Sequence, residues 1–161
     1  MMRRKELLSI AAVALVALAL LSTTACKSSG MAVTSRGQIL KLDILHPTDL
    51  PDAGVDNLDV VVANRGINNM QDILLEVELP PQLVVLDQTN DRGVNVLHTP
   101  GSDMYRFTFG NLQAGESSTV RFRVRTAFGT LRETGSVKAT AWQTALPGDK
   151  LVETALIKLQ Q

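Results

Sequence analysis

The feature that most constrains this chain is an alternation of period two that begins near residue 39 and recurs, broken by turn residues, to its end. Over 118–126, Val120, Phe122 and Val124 alternate with Arg121, Arg123 and Arg125. Successive side chains of a strand point to opposite faces, so the apolar set faces a core and the arginines face water. The same pattern places Leu40, Leu42 and Ile44 inward over 39–45, and Leu58, Val60 and Val62 over 57–63. It places Ile73, Leu75, Val77 and Leu79 inward over 72–79, with Glu76 and Glu78 outward. Tyr105, Phe107 and Phe109 form a further run, and 94–98, 135–142 and 151–159 read as strands. Pro80-Pro81 ends the 72–79 strand, because proline cannot donate to a ladder, and the short apolar run 83–86 reads as an edge strand. About eight or nine short strands at regular spacing predict an all-β sandwich or barrel. A domain of about 125 residues buries some two-thirds of its surface, enough to fold without disulfides.

The first 25 residues follow different rules. Met1-Met2-Arg3-Arg4-Lys5 is basic, 7–21 is apolar apart from Ser9, and Ser22-Thr23-Thr24-Ala25 is small. Basic start, apolar run and small-residue end form the layout of a secretory signal peptide, helical in its apolar part. Thr23-Thr24-Ala25-Cys26 resembles the lipobox of bacterial lipoproteins, with Thr23 where that family has leucine. The resemblance implies cleavage after Ala25 and acylation of Cys26 with chains such as palmitate. It also implies retention in the outer membrane if the host has two membranes, since Lys27 replaces the aspartate of inner-membrane retention. An uncleaved anchor and ordinary cleavage that leaves a free thiol are the alternatives. Fifteen helical residues reach only about 22 Å of a hydrocarbon core of about 30 Å. A lone exported thiol is exposed to oxidation. The expected organisation is therefore a signal peptide over 1–25, Cys26 and a flexible tether over 26–36, and one sandwich over 37–161.

Within that sandwich, Val60-Val61-Val62-Ala63-Asn64-Arg65-Gly66, then Leu79-Pro80-Pro81-Gln82-Leu83, then Gly110-Asn111-Leu112-Gln113-Ala114-Gly115-Glu116 occur in a fixed order. This order resembles two bacterial surface families: the conserved-repeat domain of unknown function eleven and the cell-adhesion-related domain found in bacteria. Ala114 stands where the former has proline, and no tandem repeat is present. The resemblance implies an immunoglobulin-like β-sandwich of about seven to nine strands on a cell surface, with no established catalysis.

Charge and side-chain chemistry narrow the function. Taking Arg3, Arg4, Lys5 and Glu6 from the 16 basic and 16 acidic residues leaves 13 and 15. So slight a negative balance offers no field for gripping phosphates, and no nucleic-acid partner is expected. A single cysteine excludes an internal disulfide or a cysteine zinc site. His46 and His98 lie at strand ends and read as solvated, and Ser117-Ser118 lacks a nucleophile-elbow context. No enzyme and no cofactor are expected. Asp49, Asp52 and Asp56, with Asp59 beyond them, are weak calcium candidates in a Pro/Gly-rich loop, where aspartate equally serves as a turn former. Trp142, Met104 and Tyr105 form either a binding patch or ordinary cross-strand packing.

Arg121, Arg123 and Arg125, with Glu76 and Glu78, form the candidate interaction face. The arginines read either as an anion site or as partners of the glutamates, if 72–79 and 118–126 are neighbours in one sheet. In the resembled fold they correspond to neighbouring strands. The function expected is a membrane-anchored envelope lipoprotein whose domain contacts another envelope protein or polymer. The alternative is a carbohydrate or small-ligand binding module.

Overall fold

The computed structural model describes residues 30–34, 39–51, 53–129 and 133–159. The expected signal peptide, Cys26 and Asp52 lie outside them. Eleven strands and no helix occur among the described residues: β1 (Gly30–Thr34), β2 (Leu40–Pro47), β3 (Asp49–Leu50), β4 (Val55–Asn64), β5 (Met70–Glu78), β6 (Leu83–Asn90), β7 (Val96–His98), β8 (Met104–Leu112), β9 (Ser117–Thr126), β10 (Glu133–Gln143) and β11 (Leu151–Leu159). They form two sheets, ordered β1-β2-β4-β9-β6 and β3-β11-β10-β5-β8-β7. All pairings are antiparallel except β3 with β11. The described residues form an all-β, immunoglobulin-like sandwich.

The alternation read from the sequence is the inward set. Leu42, Ile44, Leu58, Val60, Val62, Ile73, Leu75, Val77, Val120, Phe122 and Val124 are all fully buried. The two sheets meet through aromatic rings on β8 and β9. Phe122 lies edge-on to Phe107 at 5.9 Å and to Tyr105 at 5.1 Å. Edge-to-face packing places the positive ring edge on a negative ring face and adds about 0.5–1.5 kcal/mol per pair to the burial itself.

Two strands appear where the sequence indicated none. β1 falls in the segment read as tether, where it pairs with β2 from Gly30↔Pro47 to Thr34↔Asp43. β3 forms in the Pro/Gly-rich loop, where two residues join β11 in parallel. Both are short edge strands with no hydrophobic period of their own, and each exists through the backbone of its neighbour. The edge strand expected over 83–86 is an edge strand, but it continues through Asn90 after a register shift between Val85 and Asp87.

The strand order corrects one expectation. The 72–79 and 118–126 strands are not neighbours: β5 lies between β10 and β8, whereas β9 lies between β4 and β6 in the other sheet. Glu76 and Glu78 therefore face away from the molecule on one side, and Arg121, Arg123 and Arg125 on the other. Alternation specifies which face a residue occupies, not which strand lies beside it.

Candidate interaction surfaces

The sandwich has two ends. The Asn64 end carries the β1–β2, β4–β5, β6–β7, β8–β9 and β10–β11 connections, and the Pro47 end carries the β2–β3, β3–β4, β5–β6, β7–β8 and β9–β10 connections.

At the first end, Asn64 terminates β4 in the Asn-x-Gly motif and is fully buried. Its amide Nδ2 donates to the carbonyls of Asn68 (2.8 Å) and Leu112 (3.0 Å), and its Oδ1 accepts from Gly66 N–H (2.9 Å). Its backbone N–H donates to Glu116 O, and its carbonyl accepts from Gly115 N–H. One residue thus ties the β4–β5 turn to the end of β8 through its side chain and to the loop before β9 through its backbone. Gly66 is required by proximity, because a Cβ there would lie 2.5 Å from Ile39 Cγ2.

The neighbouring loops are fastened in the same way. Asn90 exchanges bonds with Val94, Nδ2 donating at 3.0 Å and Oδ1 accepting at 2.8 Å. Asp91 accepts from Ser118 Oγ (2.6 Å) and Thr119 N–H (2.8 Å). Arg92 pairs with Glu116 and donates to Asn111 O at 2.9 Å. The Gln113 N–H on its carboxylate, reinforced by Arg92, holds Glu116 below the usual glutamate range against a smaller opposing effect of burial. Backbone donors and a guanidinium both favour the charged form, so these loops are held in place while the carboxylate is ionised.

Beside this network lies an open groove of about 590 Å³ between the start of β2 and the β10–β11 connection. Ile39, Met70 and Leu146 supply apolar wall, and Gln143, Asp149 and Lys150 supply polar rim. Ile39 and Leu146 are exposed, and so is nearby Ile67 on the β4–β5 turn, at 93 %. Exposed apolar groups on a rigid loop frame are the usual anatomy of a contact surface.

The outer faces of the sheets show where each candidate side chain went. On the first sheet Arg121 forms a two-pronged bond with Asp59 on β4, Nε to Oδ1 at 2.7 Å and Nη2 to Oδ2 at 2.6 Å. That hydrogen bond and the attached charge raise the guanidinium pKa further. Arg123 lies opposite Asn57 and Asp87, and Arg125 lies over the Phe128 ring at 4.7 Å. On the second sheet Glu76 pairs with Arg106 across β5 and β8, and Glu78 lies 3.9 Å from Lys138. Arg121, Glu76 and Glu78 are each matched by an opposite charge within their own sheet.

The remaining candidates scatter. Asp59 is engaged by Arg121, and Asp56, within β4, accepts from the neighbouring Asn57 N–H at 2.7 Å. Asp49 lies in β3, and among the described residues no three His, Cys, Asp or Glu side chains gather as metal ligands. His46 is buried, correcting its reading as solvated: its Nδ1 bonds Pro47 O at 2.9 Å. His98 is exposed and stacks on Tyr105 at 4.1 Å, its Nε2 bonding Ser102 O. Trp142, Met104 and Tyr105 do not form a patch. Tyr105 turns inward to Phe122, whereas Trp142 lies on the outer face, 7 % exposed, beneath Lys150 Nζ at 4.3 Å. Burial, with the charge of Asp103 adding to it, raises the Tyr105 phenol above its ordinary value. Sequence reasoning missed the groove; exposed Ile39, Ile67 and Leu146 between turn residues were its only signal.

No protein-family model matches the sequence, and no curated protein matches it. Solved structures do share the fold. The RrgA Jo.In complex is 11 % identical, covering 81 % of this chain and 82 % of that chain at a TM-score of 0.58. AvmM, which catalyzes macrocyclization in alchivemycin A biosynthesis, is 14 % identical, covering 81 % and 97 % at 0.52. A type I cohesin–dockerin complex from Clostridium thermocellum is 10 % identical, covering 70 % and 89 % at 0.50. One fold thus serves both assembly modules and an enzyme, so function rests on the surfaces. At these identities the likeness establishes an immunoglobulin-like, cohesin-like sandwich.

Proposed function

We propose that the chain is a lipid-anchored envelope protein, tethered through Cys26, whose Asn64 end docks a protein partner without catalysis. The observation that carries this reading is the groove at Ile39, Met70 and Leu146, whose walls are fastened by the Arg65 N–H on Ile39 O, the Thr144 N–H on Asp72 O and the Leu146 N–H on Gln143 O. Preorganised loops lose little entropy on binding, which is the main saving available to a small contact surface. The order Arg3-Arg4-Lys5, apolar run, small residues and Cys26 supports the anchor, and the motif order through Glu116 supports the resemblance to bacterial surface domains. The expected location is the cell envelope, at the outer membrane where a host has two. A carbohydrate binder of this fold uses an exposed aromatic platform, and Trp142 is instead covered by Lys150.

Two measurements test the proposal. Cys26→Ala should abolish acyl labelling and move the chain out of the membrane fraction; unchanged labelling refutes the anchor. A photo-crosslinker at position 146 in intact envelopes should trap one discrete protein, and the same group at Thr154, on the outer face of β11, should not. Equal yields from the two positions refute the groove as the docking site.

A further inference from the structure

The tether and the groove belong to opposite ends. Gly30 begins β1 opposite Pro47, and β1 then runs toward the Asn64 end. Four residue steps separate Cys26 from Gly30, a span of at most about 14 Å when fully extended. A lipid on Cys26 would therefore hold the Pro47 end within about that distance of the bilayer.

One corner of this end sets an exposed ring beneath a cation, beside exposed carboxylates such as Asp56. Phe128, just past β9, is 75 % exposed, and the Arg125 guanidinium lies 4.7 Å over its ring. Val55, paired with Arg125 across the β4–β9 ladder, is 47 % exposed. Continuing the β2–β4 register two residues past Leu45↔Asp59 places Gly30 level with Asn57, and Asn57 pairs with Arg123. Arg125 then lies two residues, about 7 Å, farther toward the bilayer than Gly30. Phe128 comes after it in the chain. An aromatic ring beneath a guanidinium suits the headgroup boundary, where the ring enters the acyl edge and the cation stays among phosphates. Apolar groups in that setting sink about 5–10 Å.

We propose that Phe128, with Arg125 and Val55 beside it, inserts into the surface of the membrane that holds the Cys26 lipid, so that the domain stands with its groove facing away. This rests on the lipid-anchor reading, and the experiment separates the two. The acylated mature chain, beginning at Cys26, is reconstituted into phosphatidylethanolamine–phosphatidylglycerol vesicles with or without brominated acyl chains. Two readouts are taken: flotation with the vesicles, and tryptophan emission.

In the parent protein the sole tryptophan is Trp142, near the Asn64 end, which serves as the distal reporter. Phe128→Trp adds a second at an exposed position that the fold tolerates. The expected result is flotation of both proteins, unquenched Trp142 emission, and loss of most of the added emission in brominated vesicles, with a blue shift. Flotation with no quenching of the added emission, or with equal quenching of Trp142, overturns the inference and leaves the anchor standing. Failure to float removes the anchor reading and this inference with it.

Discussion

Replacing Asn64 tests whether one buried amide organises the loop end. Asn64→Ala removes three side-chain hydrogen bonds, of which that to Leu112 O is buried and those to Asn68 O and Gly66 N–H are partly buried. An intramolecular hydrogen bond contributes about 0.5–1.5 kcal/mol net, and an orphaned buried partner costs about 1–3 kcal/mol. Water reaches the two partly buried groups, so the dominant loss is at Leu112 O, and the sum is about 2–4 kcal/mol. For a domain of this size that lowers Tm by about 10 °C. Asn64→Asp sharpens the test because it preserves shape. Its carboxylate still accepts from Gly66 but turns an acceptor toward two carbonyls, so at pH 7 it should destabilise more than alanine does.

The pH dependence has a definite sign. Burial and the two carbonyls disfavour the charged form and raise the folded-state pKa of the introduced carboxyl above its unfolded value of about 3.9. A raised folded pKa contributes stability fully present below the unfolded value and lost as pH rises. The deficit of Asn64→Asp relative to the parent should therefore shrink near pH 4 and grow toward neutrality. Urea unfolding of both proteins across that range measures it. A deficit below about 0.5 kcal/mol at pH 7, or one that grows on acidification, would refute the role assigned to this amide.

Four further outcomes are expected. Gly66→Ala drives a Cβ into Ile39 Cγ2 and should cost about 1–3 kcal/mol, while displacing the isoleucine that walls the groove; wild-type stability in thermal melts would contradict the close approach. Exchanging Asp59 and Arg121 as Asp59→Arg with Arg121→Asp should recover what either single change loses, with a coupling of about 0.2–1 kcal/mol. Glu76→Arg with Arg123→Glu should instead be additive, because β5 and β9 lie in different sheets. Glu116 is held below its ordinary 4.5 by Gln113 N–H and then by Arg92, so its contribution is present above that value and lost as pH falls through the lower folded value. The stability difference between wild type and Glu116→Gln should stay level above pH 4.5 and shrink below it in pH-resolved unfolding.

The sequence alone determined the fold class and the contents of the core. Alternation at Leu40, Leu42 and Ile44, at Ile73, Leu75 and Val77, and at Val120, Phe122 and Val124 assigns each residue a face, and burial follows face. It also located the Asn64-Arg65-Gly66 turn, although as punctuation rather than as the point that joins the β4–β5 and β8–β9 connections. Tertiary structure alone decided which strands are neighbours, and with them every outward partner. A period-two pattern is the same whichever strand lies alongside, so Arg121 could be matched to Asp59 and Glu76 to Arg106 only once the sheets were ordered. The same holds for β1 and β3, which have no pattern of their own and form because a neighbouring backbone offers unpaired groups. It holds for the groove, whose walls Ile39, Met70 and Leu146 lie far apart in the chain and meet only where the two sheets end together.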